Sequence, residues 1–263
     1  MTDFQQFAKD FALKAGALMK KNFLLGMSKE WKKDNTPVTA TDLEINHLLI
    51  QEINHFFPSH GILAEEESAL KEGAEYVWVC DPLDGTLPFG HGIPIATFAL
   101  ALTKNGESIL ATVCDPFQDR LFTAAKGQGA FLNGNPIHVS ATTAFKGSVA
   151  DIEMSSISKY DLSKLALYLN IERGVKVFKL NSYTYAAMLV AAGELAFALY
   201  PSSPAHDTAM AKIIVEEAGG KVTSLSGQEQ RYDGPVEGLI ASNGVLHEEL
   251  VALSKEMVVI RAK

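Results

Sequence analysis

The stretch Tyr76-Val77-Trp78-Val79-Cys80-Asp81-Pro82-Leu83-Asp84-Gly85-Thr86 constrains this chain more than any other. Tyr76 to Cys80 is apolar, aromatic and β-branched, which predicts a buried strand. Pro82 and Gly85 are expected to break the strand and force a turn. That turn holds Asp81 and Asp84 close together. Two ionised carboxylates side by side in an interior medium repel strongly unless something neutralises them. A hard divalent cation does so best, because it takes oxygen ligands from carboxylates and carbonyls. The Leu83 carbonyl lies between the two and supplies a third oxygen. Gly85 lets backbone approach a ligand closely, and Thr86 is a favourable N-cap for a following helix. A helix N-terminus beside a metal is a phosphate site. From these residues alone the turn reads either as that site or as a surface turn with two solvated carboxylates, since Asp, Pro and Gly are ordinary turn residues.

Asp81-Pro82-Leu83-Asp84-Gly85-Thr86 resembles the signature of the inositol monophosphatase family. These are magnesium-dependent, lithium-sensitive phosphatases related to fructose-1,6-bisphosphatases and 3'-nucleotide phosphatases. The resemblance includes Pro37-Val38-Thr39-Ala40-Thr41-Asp42, Glu65-Glu66 and Gly90-His91-Gly92-Ile93-Pro94. It continues through Lys126-Gly127-Gln128-Gly129-Ala130-Phe131-Leu132-Asn133-Gly134 to Asp207, ahead of Ile213-Ile214-Val215-Glu216-Glu217-Ala218-Gly219-Gly220.

The resemblance implies a mixed α/β fold, the layered αβαβα sandwich of the inositol monophosphatase and fructose-1,6-bisphosphatase type. It implies an N-terminal lobe, residues 1–140, with most metal ligands, and a C-terminal lobe, residues 141–263, with the last metal-binding Asp and substrate-side contacts. Two or three Mg2+ ions are expected on Glu65, Asp81, the Leu83 carbonyl, Asp84 and Asp207. Glu65 with the Asp42–Thr86 pair is expected to orient and deprotonate water. Asp84 and the backbone at Gly85, Thr86 and Leu87 are expected to face the phosphate. Matching from Ser59-His60 selects Glu65; matching backwards from Ser68 selects Glu66. The implied reaction is hydrolysis of a small phosphorylated metabolite, inositol-phosphate-like or sugar-phosphate-like. Histidinol phosphate, fructose 1,6-bisphosphate and 3'-phosphoadenosine 5'-phosphate stand as alternatives. A homodimer is implied as well, and some relatives also act as binding partners of the transcription machinery.

Composition sets outer bounds. The 263 residues are 47% hydrophobic and 21% charged, enough to bury a large core in one large domain or two lobes. A net charge of -8 disfavours nucleic acid and anionic membrane surfaces as partners. Cys80 and Cys114 both lie in apolar runs and read as buried free thiols, which fits a reducing cytoplasm. Phe4, Phe7, Phe11 and Leu18 follow helical spacing, interrupted by Asp10, Lys14, Lys20 and Lys21, so no signal peptide and no membrane span is read.

Residues 29–37 are polar and read as a loop in which Lys32 and Lys33 either face a phosphate or are simply solvated. Asp42 opens a helix with Leu43, Ile45, Leu48, Leu49 and Ile53, where capping is its ordinary role. After Thr86 the family usually continues Thr-Asn-Phe. Leu87-Pro88-Phe89 departs from this, though a proline is tolerated in a first helical turn. Lys104-Asn105-Gly106-Glu107 and Asn133-Gly134-Asn135 are hairpin signals. Ser182 to Ala192 predicts a helix, Leu195 to Tyr200 a strand, and Asp207 the cap of a further helix. His206 stands where the family has a packing aromatic, and reads either as packing or as an acid or base. Inositol phosphatases of the family place a Glu seven residues before the last metal-binding Asp; this chain has Tyr200. A carboxylate accepts a hydroxyl's bond as a charged group, worth roughly 1.5–3 kcal/mol, whereas Tyr offers a neutral phenol. Tyr200 is therefore expected to contact substrate by stacking, with recognition of myo-inositol 1-phosphate weakened by on the order of ten-fold.

Overall fold

The computed structural model describes residues 3–24, 28–32, 37–154, 158–201 and 204–261. Helix α1 (Phe4–Asn22) leads to the short strands β1 (Glu30–Trp31) and β2 (Pro37–Val38), then to α2 (Ala40–Phe56). β3 (Gly61–Ala64), β4 (Tyr76–Asp84), α3 (Thr86–Gly90), β5 (Thr97–Lys104) and β6 (Glu107–Asp115) follow. β7 (Arg120–Ala125), β8 (Ala130–Leu132) and β9 (Asn135–Pro136) complete a sheet ordered β3-β4-β5-β6-β7-β8-β9. The later part holds β10 (Val149–Ile152), β11 (Tyr160–Asp161), α4 (Ser163–Ile171), β12 (Lys176–Phe178) and α5 (Tyr183–Ala191). It continues with β13 (Phe197–Tyr200), α6 (Ala205–Glu217), β14 (Lys221–Thr223), β15 (Leu239–Ser242), α7 (His247–Met257) and β16 (Val259–Ile260). Its sheet runs β12-β10-β13-β15-β14.

Alternation along the strands builds the layers, because successive side chains point to opposite faces. In β5, Phe98, Leu100 and Leu102 pack with Trp78, Cys80 and the α1 and α2 residues Phe7, Phe11, Ile45 and Leu49. Ala99 and Ala101 face the other way, onto Ala187, Met210 and Ile214 of α5 and α6. The small alanines let those helices approach the sheet closely. The inner face of the second sheet joins the same core through Ala198, Val222 and Ala241. Its outer face, with Ile152, Phe197, Leu199 and Ile240, meets Leu165 and Leu169 of α4 and Leu250 of α7. The result is the αβαβα sandwich expected from the resemblance. Truncating any large side chain of these cores to Ala costs about 2–5 kcal/mol.

Several local expectations need correcting. β4 does not stop at Pro82 but runs on to Asp84. Its register against β5 goes from Asp81 opposite Ala99 to Asp84 opposite Thr97, so β4 carries one extra residue there. Such a bulge tolerates the missing N–H of Pro82. The N-cap of α3 is Gly85, at φ 89, and Thr86 is the first helical residue. Pro88 sits in that first turn, as its chemistry allows. Residues 29–37 are not all loop, since β1 and β2 pair antiparallel; Lys33 lies outside the described residues. Asp207 is inside α6 rather than at its cap, which is Pro204.

Candidate active site

β3 and β4 run parallel with Ala64 level with Cys80, so Glu65, just past β3, arrives beside Asp81. The Glu65 N–H donates to the Cys80 carbonyl at 3.2 Å. Asp207 enters from the first turn of α6, the helix clamped between the two sheets. Glu65, Asp81, Leu83, Asp84, Gly85, Thr86, Leu87 and Asp207 thus line one cleft of about 360 Å3. Trp31, Pro37, Glu153, Asn181 and Tyr183 complete it. Glu66 does not line the cleft and is the more buried of the two glutamates.

Asp42 holds two positions together. Its Oδ2 accepts from the Thr39 N–H at 3.0 Å and from the Thr39 hydroxyl, closing a capping box at the start of α2. Its Oδ1 accepts from Thr86 Oγ1 at 3.1 Å. Thr86 Oγ1 also lies 2.9 Å from the Leu83 carbonyl, so one hydroxyl proton is shared between two acceptors. Burial pushes the Asp42 carboxyl up to about 6, against the pull of the Thr39 hydrogen bonds.

Asp84 has a task that no local signal in the sequence announces. Its Oδ1 accepts from the Tyr183 N–H at 2.9 Å. Its Oδ2 accepts from the Thr184 and Tyr185 N–H groups at 3.0 and 3.2 Å and from the Ser182 hydroxyl. The carboxylate therefore caps α5, whose own N-cap, Ser182, makes no side-chain capping bond. An anion at a helix N-terminus satisfies orphan donors and meets the positive end of the dipole. Burial pushes Asp84 up to about 6, opposed by the Ser182, Tyr185 and Tyr183 donors.

Asp81 accepts from the Leu83 N–H at 2.9 Å, and its carboxyl meets that of Asp207. Burial, followed by the nearby charges of Glu65, Asp84 and Asp207, holds Asp81 well above the carboxylate range. Burial, Asp84 and Glu65 do the same to Asp207. Lys32 bonds Glu65 at 2.8 Å and Glu66 at 2.6 Å, so its partners are protein carboxylates. Burial alone would lower the Lys32 ammonium; the two glutamates outweigh it and raise it. Among the described residues no three acidic or imidazole side chains converge as a ready metal cluster. In the structure α5 engages Asp84 and Lys32 engages Glu65. The donor chemistry, carboxylates plus the Leu83 carbonyl, still fits a hard divalent cation.

Tyr200 is misread from the sequence. It is 1% exposed, its hydroxyl donates to the Tyr183 carbonyl at 2.8 Å, and its ring stacks on Tyr183 at 4.4 Å. Tyr183 borders the cleft in its place. His206 lies 3.8 Å from Asp207 Oδ1 but outside the cleft lining, and burial lowers its affinity for a proton. Sequence reasoning missed Glu153, Asn181, Tyr183, Trp31 and Pro37 as cleft residues. The one usable signal was the run Ser182 to Tyr185, the predicted start of α5.

Known proteins place this geometry. The sequence profile of the inositol monophosphatase family matches residues 1–258. The fructose-1,6-bisphosphatase/inositol-1-monophosphatase of Thermotoga maritima is 35% identical over 221 residues, 84% of this chain and 83% of that protein. The histidinol-phosphatase of Chlorobaculum parvum is 32% identical over 258 residues, 96% of each chain. The solved structure of a Thermotoga maritima IMPase matches with a TM-score of 0.85 and 32% identity, covering 97% of this chain and 98% of that one. The layered fold with its acidic cleft is thus that of a phosphoric monoester hydrolase. The chain belongs to the inositol monophosphatase family.

Proposed function

We propose that the cleft hydrolyses the phosphate monoester of a small inositol-like or sugar-like metabolite with Mg2+ as cofactor. The observation that carries this reading is the gathering of Glu65, Asp81, Asp84 and Asp207 around the start of α3. Those four side chains and the Leu83 carbonyl would hold two or three Mg2+ ions. When bound, the ions supply a counter-charge for the phosphate and leaving oxygen and lower the pKa of water. Thr86, whose proton is shared between Asp42 and the Leu83 carbonyl, keeps a lone pair that would accept from an attacking water and aim it. Glu65, which lines the same cleft, would act as the base for that water. The first-turn N–H groups at Thr86 and Leu87 have no intrahelical acceptor and face the phosphate. Pro88 contributes none, so the Leu87-Pro88 departure leaves these two donors intact. Attack is in line, without a covalent enzyme intermediate.

The same reading treats residues 1–140 and 141–263 as two lobes. The span between β9 and β10, where one sheet ends and the next begins, supports it. It also takes the chain as a cytoplasmic homodimer, for which the buried free Cys80 and Cys114 are compatible with a reducing compartment. Among the described residues no helix is long and apolar enough to cross a membrane.

Phosphate release from myo-inositol 1-phosphate, fructose 1,6-bisphosphate, histidinol phosphate and 3'-phosphoadenosine 5'-phosphate tests the proposal as Mg2+ is titrated. Activity should vanish on chelation, return with Mg2+, and fall with lithium. Asp207→Asn should lower kcat on the order of a hundred-fold, as expected when charge stabilisation at the reacting group is lost. Full turnover after exhaustive chelation would falsify the metal assignment.

A further inference from the structure

Glu153 follows the last residue of β10, borders the cleft and is 6% exposed. Its Oε1 pairs with Lys179 Nζ at 3.0 Å. Its Oε2 is buried and, among the described residues, has no hydrogen-bond partner. Buried carboxylate oxygens are nearly always paired, because stripping water from them without replacement is costly. The backbone fixes where this side chain goes. β10 and β13 are parallel with Ile152 level with Leu199, and the Glu153 N–H donates to the Leu199 carbonyl at 3.0 Å. Glu153 therefore comes level with Tyr200, whose own hydroxyl is turned away into the Tyr183 carbonyl. Of these two register mates, the carboxylate is the one that borders the cleft.

We infer that Glu153 binds substrate, accepting a hydrogen bond from a hydroxyl of a polyol or sugar phosphate seated in the cleft. The inference rests on the function proposed above and names the part of the site that reads the alcohol. Lys179 decides between a hydroxyl and an ammonium as the donor. Its positive charge beside Glu153 repels a second cation but not a neutral hydroxyl. Tyr183 also borders the cleft, next to Glu153.

The test compares kcat/KM on myo-inositol 1-phosphate with that on p-nitrophenyl phosphate, which has no hydroxyl, and on histidinol phosphate, which carries an ammonium. In the full-length Glu153→Gln variant the myo-inositol 1-phosphate to p-nitrophenyl phosphate ratio should fall at least about ten-fold, the size expected for losing a charged acceptor. Lys179→Met keeps the carboxylate and should hold that ratio within about two-fold. An unchanged ratio in Glu153→Gln overturns the inference alone. So does an equal loss in Lys179→Met, which would make the ion pair rather than the carboxylate the determinant. A larger loss on histidinol phosphate than on myo-inositol 1-phosphate overturns the assignment to a hydroxyl. Wild-type protein without Mg2+-dependent hydrolysis of any of the three esters overturns the proposed function, and this inference with it.

Discussion

Asp84 carries two demands on one carboxylate. Its place in the Asp-Pro-Leu-Asp-Gly-Thr turn makes it a candidate metal ligand, and its contacts make it the cap of α5. From the sequence, replacing one charge in a crowded acidic group should relieve repulsion and leave metal-free stability unchanged or higher. The contacts reverse that expectation. In Asp84→Asn the amide can accept on one side only, and its NH2 opposes either the Tyr183 N–H or the Ser182, Thr184 and Tyr185 donors. Losing a helix cap costs about 0.5–2 kcal/mol. At this chain length each kcal/mol moves Tm by roughly 2–4 °C. Asp84→Asn should therefore lower the Tm of metal-free protein by several degrees and abolish nearly all turnover. Thermal melting in chelator, beside a phosphate-release assay, checks both; an unchanged or raised Tm would contradict the capping role.

At the scale of elements, the junction of β4 and α3 is decided by Gly85. Its φ of 89 lies in the left-handed region, and a Cβ there would stand 2.5 Å from the Ile95 carbonyl oxygen and 3.2 Å from Ala96 Cα. Neither obstacle is a flexible side chain. The strand can thus turn directly into a helix only with no side chain at this position. Gly85→Ala pays for a left-handed non-glycine residue, about 1–3 kcal/mol, and for displaced backbone at Ile95 and Ala96, just ahead of β5, in addition. It should melt several degrees lower and lose turnover disproportionately, since the turn sets Asp84 relative to Thr86. Circular dichroism melts with parallel kinetics read this; a Tm within one degree of wild type would sink the steric argument.

For the whole molecule, stability depends on pH through a group remote from the cleft. His247, at the start of α7, is fully buried and bonds Thr223 Oγ1 at 2.9 Å and Ser242 Oγ at 2.8 Å, joining α7 to β14 and β15. Burial, helped by Lys221, lowers its pKa from the ordinary 6.5 to about 4. As pH falls, the unfolded chain takes up this proton first. The stabilisation is complete above about pH 6.5 and is lost as pH falls towards 4, by roughly 3 kcal/mol in all. Asp42 and Asp84, pushed up to about 6, and Glu66, pushed up to about 7, act with the opposite sign as pH rises from the ordinary carboxylate range to those values. NMR titration of the His247 ring isolates its share. The imidazole should stay neutral down to about pH 4; a midpoint at 6 or above would remove the effect.

Much of this was legible from residues alone. The apolar run Ala96 to Leu102 announces a strand, and the Asn-Gly pairs announce hairpins, with Asn105 and Gly106 at φ 49 and 80 and Asn133 and Gly134 at φ 49 and 80. The acidic turn with its glycine points to an anion-handling site next to a cation. These signals are local: they come from the dihedral preferences and side-chain period of a few adjacent residues. Only the tertiary structure decided that Asp84 caps α5, that Lys32 bridges Glu65 and Glu66, and that Glu153 rather than Tyr200 borders the cleft. Each of those depends on which distant segment packs alongside, and on strand register. Shifting a register by one residue exchanges the side chain that faces a cleft for the one that faces the core, and no local preference in the sequence encodes that choice.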